Sequence, residues 1–412
     1  MIALVDARTT QVCADSGRGA TATTLWFVVF FSNLPVYVTL FVNPSLRPLH
    51  WTSAIGGLML VWWLQLPIWR VRASMQLPAW VAIYSVMCLV WYLAFGGGDV
   101  EVLRQRVIAA AFLLVSYLAL AAGSRILSVA RHAILGVVIA AVAVNFYDIA
   151  NPFALVPAQS EFAVLGRATG LYGNPNQAGA ALVLGLIVTI SLVSSRWRGL
   201  YLSYIGIGVA LTLSRSALLG FALVVLGLLF TARLTLKQTA FATLIWATLG
   251  WITAAYVLPA FAQHLNLDPQ VIFERLTWII DPVGKADFSQ LERAYLADQG
   301  WEQFLNSPIV GNGIGSTELW AARSSTHNQY LLLLSDFGIL GAAVIPALLV
   351  TIVIGPSARA VPERWAFVAF IALWAAVSHN VLTEYYALLA FAAMAAMCAV
   401  PGAALNQRSK VS

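Results

Sequence analysis

The sequence predicts an all-α, polytopic membrane protein of about twelve transmembrane helices. Hydrophobic residues make up 60% of the 412-residue chain and charged residues only 10%, with a mean hydropathy of +0.82. Soluble domains carry about 25% charged residues, so this composition excludes a soluble globular protein. The apolar residues form long continuous runs rather than alternating patterns, which excludes a transmembrane β-barrel. Because backbone polar groups in lipid must be satisfied internally, the runs are predicted to be helices.

Twelve apolar runs are predicted as spans, since a helix needs roughly 20 residues to cross a bilayer. They are residues 25–42, 52–69, 78–95, 103–122, 132–150, 175–194, 199–213, 216–232, 238–258, 327–354, 364–380 and 382–401. We interpret residues 1–412 as a single membrane domain, with a large loop at residues 259–323 inserted between spans 9 and 10. A loop of this length needs structure of its own.

That loop carries the signal of a short amphipathic helix. Ser289 and Glu292 have the spacing of a capping box. The apolar residues that follow on or near one face are Leu291, Tyr295, Trp301, Phe304 and Leu305. Pro308 and the Gly-Asn-Gly-Ile-Gly turn at 311–315 predict where the helix ends. We expect this helix to lie on the membrane surface or to cap a cavity.

The basic residues predict the orientation of the chain. One side of the predicted topology holds Arg70, Arg72, Arg125, Arg131, Arg196, Arg198, Arg233, Lys237, Arg359, Arg364, Arg408 and Lys410. Loops rich in Lys and Arg stay in the cytoplasm, so this side and both termini are expected to be cytoplasmic. Arg215, His327 and the long loop then share the opposite side. The net charge of +6 follows from topology, and nucleic acid is not an expected partner.

Four predicted helix N-termini lie on that opposite side. Their predicted cap residues are Asn174, Ser214, Ser289 and Thr326. Three of these termini carry a cation or potential cation, namely Arg215, Arg293 and His327. Helix N-termini attract anions, so cations there need a compensating anion. We therefore hypothesise a phosphate-bearing ligand, which arginine binds through its planar, bidentate fork.

Each of these residues also has a plainer explanation. Arg215 alone fits an arginine that snorkels to lipid headgroups, and Arg293 alone fits a surface residue of the loop helix. His327 alone fits a hydrogen-bonded histidine with a packing role. It is nevertheless the best candidate base, because a neutral imidazole accepts a proton near neutral pH. Its rivals on the same side are His50, His264 and His379, of which His379 is the strongest because Asn380 and Glu384 accompany it.

No metal or cofactor site is predicted. The sequence has no Asp-x-Asp pair and no His/Cys cluster with ligand spacing. The nearest pattern, Asp99-x-Glu101, is more typical of a solvated turn. No phosphate loop, dinucleotide fingerprint or serine-hydrolase elbow occurs in a suitable context.

The order of these motifs resembles the O-antigen ligase and polymerase superfamily of integral-membrane glycosyltransferases. The matching features are the Gly-Asn-Pro-Asn run at 173–176, the Thr-Leu-Ser-Arg-Ser run at 212–216, Arg293, Trp301, Pro308, the glycine turn at 311–315, His327-Asn328, and Gly-Ile-Leu-Gly at 338–341. The resemblance covers roughly residues 165 to 400. The pattern of His327-Asn328 followed after nine residues by Gly-Ile-Leu-Gly is similar to a histidine signature associated with the ligases.

The resemblance implies a GT-C-like enzyme of the bacterial inner membrane with its active site on the periplasmic face. Its donor would be a glycan linked to undecaprenyl pyrophosphate, and a ligase would transfer that glycan to a sugar hydroxyl of the lipid A–core oligosaccharide. Transfer would invert the anomeric configuration without a metal, and membrane lipid would surround the polyprenyl tail. Arg215 and Arg293 would hold the diphosphate and His327 would activate the acceptor hydroxyl. Further substrate-binding groups would be Asn174, Asn176 and Asn328.

Two other functions stay open at this point. A polymerase of the same superfamily would add the glycan to another lipid-linked repeat, although the histidine signature favours a ligase. A secondary transporter also suits twelve spans with both termini inside. Transporters place ionisable groups near the middle of the bilayer. Here the predicted spans contain almost none, apart from Asp148 and Asp336 near their ends, and the polar residues gather at one face.

Overall fold

The computed structural model describes residues 19–64, 74–95, 99–160, 166–252, 288–317 and 325–400. Within these ranges the secondary structure is helical and contains no strand, which confirms the all-α class. The first helices are α1 Gly19–Phe31, α2 Leu34–Tyr37, α3 Pro48–Leu64, α4 Gln76–Phe95, α5 Val100–Ala121 and α6 Ser124–Ala150. The others are α7 Pro175–Thr189, α8 Arg198–Leu211, α9 Arg215–Phe230, α10 Leu236–Ile252, α11 Phe288–Asn306, α12 Gln329–Phe337, α13 Gly341–Val353, α14 Arg364–Val377 and α15 Tyr385–Ala399.

Helices coincide with the twelve predicted spans, but fewer of them are long enough to cross a bilayer alone. In the described ranges, five helical segments are long and apolar enough to cross a membrane. The number is six if α1 and the Leu34–Val42 segment, which meet at a bend of 52°, form one broken span. One of the five, Gln329–Val353, contains α12 and α13 with a short 3₁₀ turn at Gly338–Leu340 between them. The chain is thus an apolar, helical membrane protein, and the count of twelve spans stays a prediction.

Two helices of small residues form the centre of the fold. Nearly all of α7 and α15 is buried, from Ala178 to Thr189 and from Tyr386 to Ala399. α7 packs against α6, α8 and α9, whereas α15 packs against α5 and α13. Small residues let helices approach closely inside a membrane. A Cβ on Gly185 of α7 would lie only 2.2 Å from a methyl of Val138 in α6.

The helix ends form two separate polar groups. At one end, which we call the basic end, Arg233 pairs with Glu363 at 2.8 Å and Arg198 donates to the Arg233 carbonyl at 2.9 Å. Arg131 also lies there and donates to the Val188 carbonyl at 3.0 Å. These residues belong to the set predicted to be cytoplasmic, of which Arg70, Arg72, Arg408 and Lys410 lie outside the described residues.

The opposite end of the bundle, which we call the site end, holds the residues predicted to carry chemistry. The helix α9 runs from Arg215 at this end to Phe230, close to Arg233 at the basic end. The starts of α7, α12 and α15 lie at the site end as well, as the contacts below show. The fold thus separates Arg215 and His327 from the basic residues, as the loop charges predict. Which end faces the cytoplasm stays a prediction.

Candidate active site

The turn between α8 and α9 places Arg215. Leu213 in this turn has a positive φ of 45°, and the side chain of Ser214 accepts the backbone N–H of Ala217 at 3.4 Å. Ser214 is therefore the N-cap of α9, as predicted, and Arg215 is the first residue of the helix. The Ser214 hydroxyl also donates to Asn176 Oδ1 at 2.8 Å, which connects this turn to the start of α7.

The start of α7 has the predicted cap. Asn174 Oδ1 accepts the backbone N–H of Asn176 at 2.8 Å, and Pro175 occupies the first helical position. Asn176 Oδ1 also accepts a hydrogen bond from Arg167 at 3.3 Å, and Arg167 Nε donates to the Thr212 carbonyl at 2.9 Å. Asn176 therefore fixes the start of α7 against the Arg215 turn. Arg167 thus ties that turn to the start of α7.

His327 lies in an unusual backbone conformation just before α12. Its φ is +49°, a left-handed value that is costly for a non-glycine residue. The N-cap of α12 is Asn328 and the prediction of Thr326 was wrong. Asn328 Oδ1 accepts the N–H groups of Tyr330 at 2.9 Å and Leu331 at 3.2 Å. Threonine and asparagine are both favoured caps, so composition alone did not distinguish them.

The rival histidine belongs to the same site. The rings of His327 and His379 meet edge to face, with centroids 5.1 Å apart and planes at 69°. His379 lies in the loop between α14 and α15. That loop is tied to α12 because the N–H of Val381 donates to Gln329 Oε1 at 3.1 Å. His50 instead lines the cavity described below, and His264 lies outside the described residues.

The environment of these loop histidines keeps both rings neutral. Burial lowers the pKa of His327, the nearby positive charge of Arg293 lowers it further, and Glu292 opposes the change. Burial, with a smaller contribution from His327, lowers the pKa of His379 to about 4. A neutral imidazole accepts a proton. His327 and Arg293 therefore share one electrostatic environment.

The helix α11 holds Arg293 in that environment. Its buried face, formed by Leu296, Gly300 and Phe304, packs on α12. A Cβ on Gly300 would lie 2.6 Å from Thr326 Cγ2, so the helix passes very close to the residue before His327. Arg293 is seven residues before Gly300, which is two helical turns along the same face.

One prediction for α11 was wrong in detail. Ser289 lies inside the helix Phe288–Asn306 and is not its N-cap. Of the apolar residues predicted on or near one face, Phe304 is buried and four are exposed, namely Leu291, Tyr295, Trp301 and Leu305. At about 3.6 residues per turn these four share one face of the helix, beside the face that packs on α12. That this exposed apolar face lies on the membrane surface stays a prediction.

The two glycine motifs contact each other. The N–H of Asn312 donates to the Ser335 carbonyl at 2.8 Å, and the N–H of Ile339 donates to the Pro308 carbonyl at 2.9 Å. Gly311 has a φ of +77°, and a Cβ there would lie 2.3 Å from the carbonyl oxygen of Asp336. Glycine is required for this close approach. The motifs therefore fix the end of α11 against the end of α12.

A buried ion pair anchors the same region to the first half of the chain. Arg106 of α5 pairs with Asp336 of α12, and both side chains are almost completely buried. The other carboxylate oxygen of Asp336 accepts the N–H of Ser316 at 3.1 Å and its hydroxyl at 2.9 Å. Asp148, the other acid near the end of a predicted span, also has a structural partner, since it accepts the N–H of Thr169 at 2.7 Å.

Glu384 joins the Arg215 turn to the histidine pair. Gln177 donates to Glu384 Oε1 at 2.5 Å, and the side chain of Asn380 donates to the same oxygen. Gln177 follows Asn176, which contacts Ser214, and Asn380 follows His379. Burial raises the pKa of the Glu384 carboxyl, just before α15, to about 8. Sequence analysis identified Glu384 only as a companion of His379, because nothing in its spacing relates it to Gln177.

A comparison with protein families identifies the segment that carries these residues. A family model described as O-antigen ligase matches residues 200–346, about a third of the chain. Residues 200–346, which we call the O-antigen ligase domain, are therefore similar to that family. The resemblance deduced from the motifs is thereby confirmed for this segment, which includes Arg215, Arg293 and His327. No curated protein matches the chain.

Residues outside the matched segment connect the two parts of the O-antigen ligase domain, the Arg215 turn and the His327 region. The connecting residues, which lie outside residues 200–346, are Asn176, Gln177 and Glu384. Within the domain, Arg293 and His327 interact electrostatically. Arg215 follows Ser214, the residue that contacts Asn176. Asn174, Asn176 and Asn328, predicted to bind substrate, each make the local hydrogen bonds described above.

A cavity of about 840 Å³ opens beside the O-antigen ligase domain at the site end. Its walls come from the α2–α3 connection, the first turns of α5, the Gly173–Gln177 segment and the start of α15. Its polar lining residues are Thr39, Arg47, His50, Glu101, Arg104, Gln105, Asn174, Gln177, Thr383 and Glu384. The first spans, whose role the sequence did not reveal, therefore build one wall of a cavity that reaches Glu384.

The described residues contain no group of three or more His, Cys, Asp or Glu side chains that could hold a metal ion. The Asp99-x-Glu101 pattern has structural partners instead. Asp99 caps α5 by accepting the N–H of Glu101 at 2.7 Å, and Glu101 pairs with Arg104 at 2.5 Å. This geometry agrees with the solvated turn suggested by the sequence.

Proposed function

We propose that this protein is an O-antigen ligase, which transfers a glycan from undecaprenyl pyrophosphate to a sugar hydroxyl of the lipid A–core oligosaccharide. The reaction takes place on the periplasmic face of the bacterial inner membrane. The observation that carries this proposal is the position of His327. Its neutral imidazole lies against His379 and within the field of Arg293, inside the O-antigen ligase domain.

The reaction is a direct displacement. His327 accepts the proton of the acceptor hydroxyl as its oxygen attacks the anomeric carbon of the donor sugar. The bond between that carbon and the diphosphate oxygen breaks, and its electron pair leaves with the diphosphate. Attack from the opposite face inverts the anomeric configuration. No covalent intermediate with the protein is required.

The two arginines stabilise the leaving group. Negative charge grows on the diphosphate as the bond breaks, and fixed guanidinium groups at this position lower the barrier. Arg215 is held by the capped start of α9, and Arg293 by the packing of α11 on α12. These contacts fix the backbone at both arginines, which supports their proposed role in holding the diphosphate.

Binding of the donor also changes the pKa of His327, the proposed base. In the free protein, the positive charge of Arg293 contributes to lowering the pKa of His327. A diphosphate bound at Arg293 offsets that charge, so the pKa of His327 rises when the donor is present. The imidazole then becomes a stronger base in the complex in which a base is needed.

Transfer in vitro tests the proposal. Purified protein is mixed with a lipid-linked glycan and lipid A–core, and the products are separated by size. We expect the glycan on lipid A–core, loss of product in His327→Ala, and normal product in His132→Ala. His132 is a matched control because it is exposed and contacts only Ser128 among the described side chains and carbonyls. Growth of the lipid-linked glycan without lipid A–core would instead indicate a polymerase and contradict the proposal.

A further inference from the structure

The cavity beside the O-antigen ligase domain is separate from the three residues assigned to the reaction. Arg215, Arg293 and His327 do not line it. Among the described residues, it meets the candidate active site at Gln177 and Glu384, which link the Arg215 turn to the histidine loop, and at Asn174, which caps α7. A volume of about 840 Å³ is in the range of small-ligand sites, large enough for several sugar rings.

Glu384 presents one unused oxygen to this cavity. Both amide donors, Gln177 and Asn380, bond to Oε1, and no described residue donates to Oε2. Glu384 is half-buried and lines the cavity, so a ligand there can reach this oxygen. A hydroxyl group of a ligand in the cavity is the simplest partner, since the carboxyl group lines that space.

The remaining lining suits a saccharide. Tyr385 offers aromatic surface, and Leu40 and Leu49 offer apolar surface, against which the C–H faces of sugar rings pack. Hydroxyl groups around those rings both donate and accept hydrogen bonds. The amides of Asn174, Gln105 and Gln177 also do both.

The charged lining of the cavity carries one excess cation. Glu101 is paired with Arg104, which leaves Arg47 as a lining cation with no carboxylate partner among the described residues. An arginine in the lining favours an acidic or phosphorylated saccharide.

We propose that this cavity binds the acidic saccharide of the acceptor and that Glu384 Oε2 binds one of its hydroxyl groups. This inference rests on the proposed function, which assigns the donor diphosphate to Arg215 and Arg293. The acceptor lies along the cavity and extends past Glu384 and Asn380 to the histidine pair. The first spans thus serve acceptor recognition.

Steady-state kinetics with both substrates varied test this assignment. We expect Glu384→Ala to raise the KM for lipid A–core about 10-fold or more, as expected for a lost hydrogen bond to a carboxyl group, with little change in the KM for the lipid-linked glycan. Glu384→Gln keeps the shape and a hydrogen-bonding group and should recover part of the loss. Leu49→Trp, at an exposed position in the lining, should raise the same KM by filling part of the cavity.

Glu302→Gln is the matched control, because Glu302 is exposed on α11 and does not line the cavity. It should leave both KM values unchanged. A rise in the KM for the lipid-linked glycan alone would overturn the proposal and assign the cavity to the donor. Unchanged KM values in Glu384→Ala and Leu49→Trp would overturn it as well.

A binding measurement without the donor separates this inference from the proposed function. Lipid A–core in detergent is titrated against the wild type, Leu49→Trp and Glu302→Gln, with melting temperatures recorded to confirm that each variant is folded. We expect about 10-fold weaker binding only for Leu49→Trp. If the wild type transfers glycan but Leu49→Trp binds lipid A–core normally, the cavity assignment fails while the enzyme assignment stands. If binding is weakened but the wild type transfers no glycan, the enzyme assignment fails instead.

Discussion

His327 and His379 meet edge to face, with ring centroids 5.1 Å apart, although they belong to loops before different helices. His327 lies next to the α11 helix that carries Arg293, whereas His379 precedes Asn380, a partner of Glu384. Nδ1 of His379 is buried without a hydrogen-bond partner among the described residues. The pair is therefore the point where the diphosphate and acceptor sides of the proposed site meet.

Substitutions in this pair should have unequal effects. We expect His327→Ala to lower kcat by about 10²- to 10⁴-fold, because the general base is lost. His379→Phe keeps a ring against His327 and should retain most of the activity, whereas His379→Ala leaves a gap and should be slower. The transfer assay measures all three, with melting temperatures as a control for folding. A His379→Phe variant as inactive as His327→Ala would show that His379 acts chemically.

The pH dependence of transfer should follow the charges near His327. The lowered pKa of His327 places the acid limb of kcat/KM below pH 6.5, its ordinary value, since the base must be unprotonated. Glu292→Gln removes a negative charge that favours the imidazolium, so the limb should move to lower pH. Arg293→Lys keeps the positive charge and should leave the limb in place, while kcat falls because the bidentate fork is lost.

These shifts are measured from pH–rate profiles in one buffer series. Glu302→Gln, which removes a charge further along α11 and is not among the groups that shift the His327 pKa, serves as the control. An acid limb that stays fixed in Glu292→Gln would mean that a group other than His327 controls it.

The contact between the glycine motifs should be essential for stability. Gly311→Ala combines a left-handed backbone, which costs about 1–3 kcal/mol, with an overlap against the Asp336 carbonyl. Gly136→Ala is the matched control in α6, where a Cβ would meet nothing within 4 Å and should raise stability by up to about 1 kcal/mol. Thermal unfolding in detergent compares the two. Equal melting temperatures would show that the 311–315 turn does not hold α11 against α12.

The buried Arg106–Asp336 pair makes a separate prediction. Asp336→Asn or Arg106→Met leaves one charged or polar partner buried without its counterpart, and each should cost about 3–5 kcal/mol. Replacing both residues with apolar ones should cost less than either single change, because no unpaired charge remains. Unfolding measurements on the three variants test this order. Additive losses in the double variant would mean that the two residues act independently.

The sequence predicted the helical class and the capped starts of α7 and α9 correctly, because those features depend on local composition and cap chemistry. It also grouped Arg215 and His327 at one end of the bundle, because successive loops lie on alternate sides and the basic pairs occur on the other side. The prediction of Thr326 as a cap failed because the left-handed turn at His327 is not encoded by a glycine.

The parts that could not be predicted depend on contacts between distant segments. The His327–His379 contact and the Gln177–Glu384 hydrogen bond join loops whose separation along the chain carries no signal. The same is true of the Arg106–Asp336 pair, which connects α5 to α12. The cavity wall supplied by Arg47 and His50 was missed because the first spans show only hydrophobicity.

The structure of the protein with undecaprenyl diphosphate bound tests the central claim most directly. We predict that guanidinium nitrogens of both Arg215 and Arg293 lie within hydrogen-bond distance of the diphosphate oxygens, with the His327 ring facing the same group. A diphosphate bound at Arg47 and His50 in the cavity, or held by only one of the two arginines, would contradict the account.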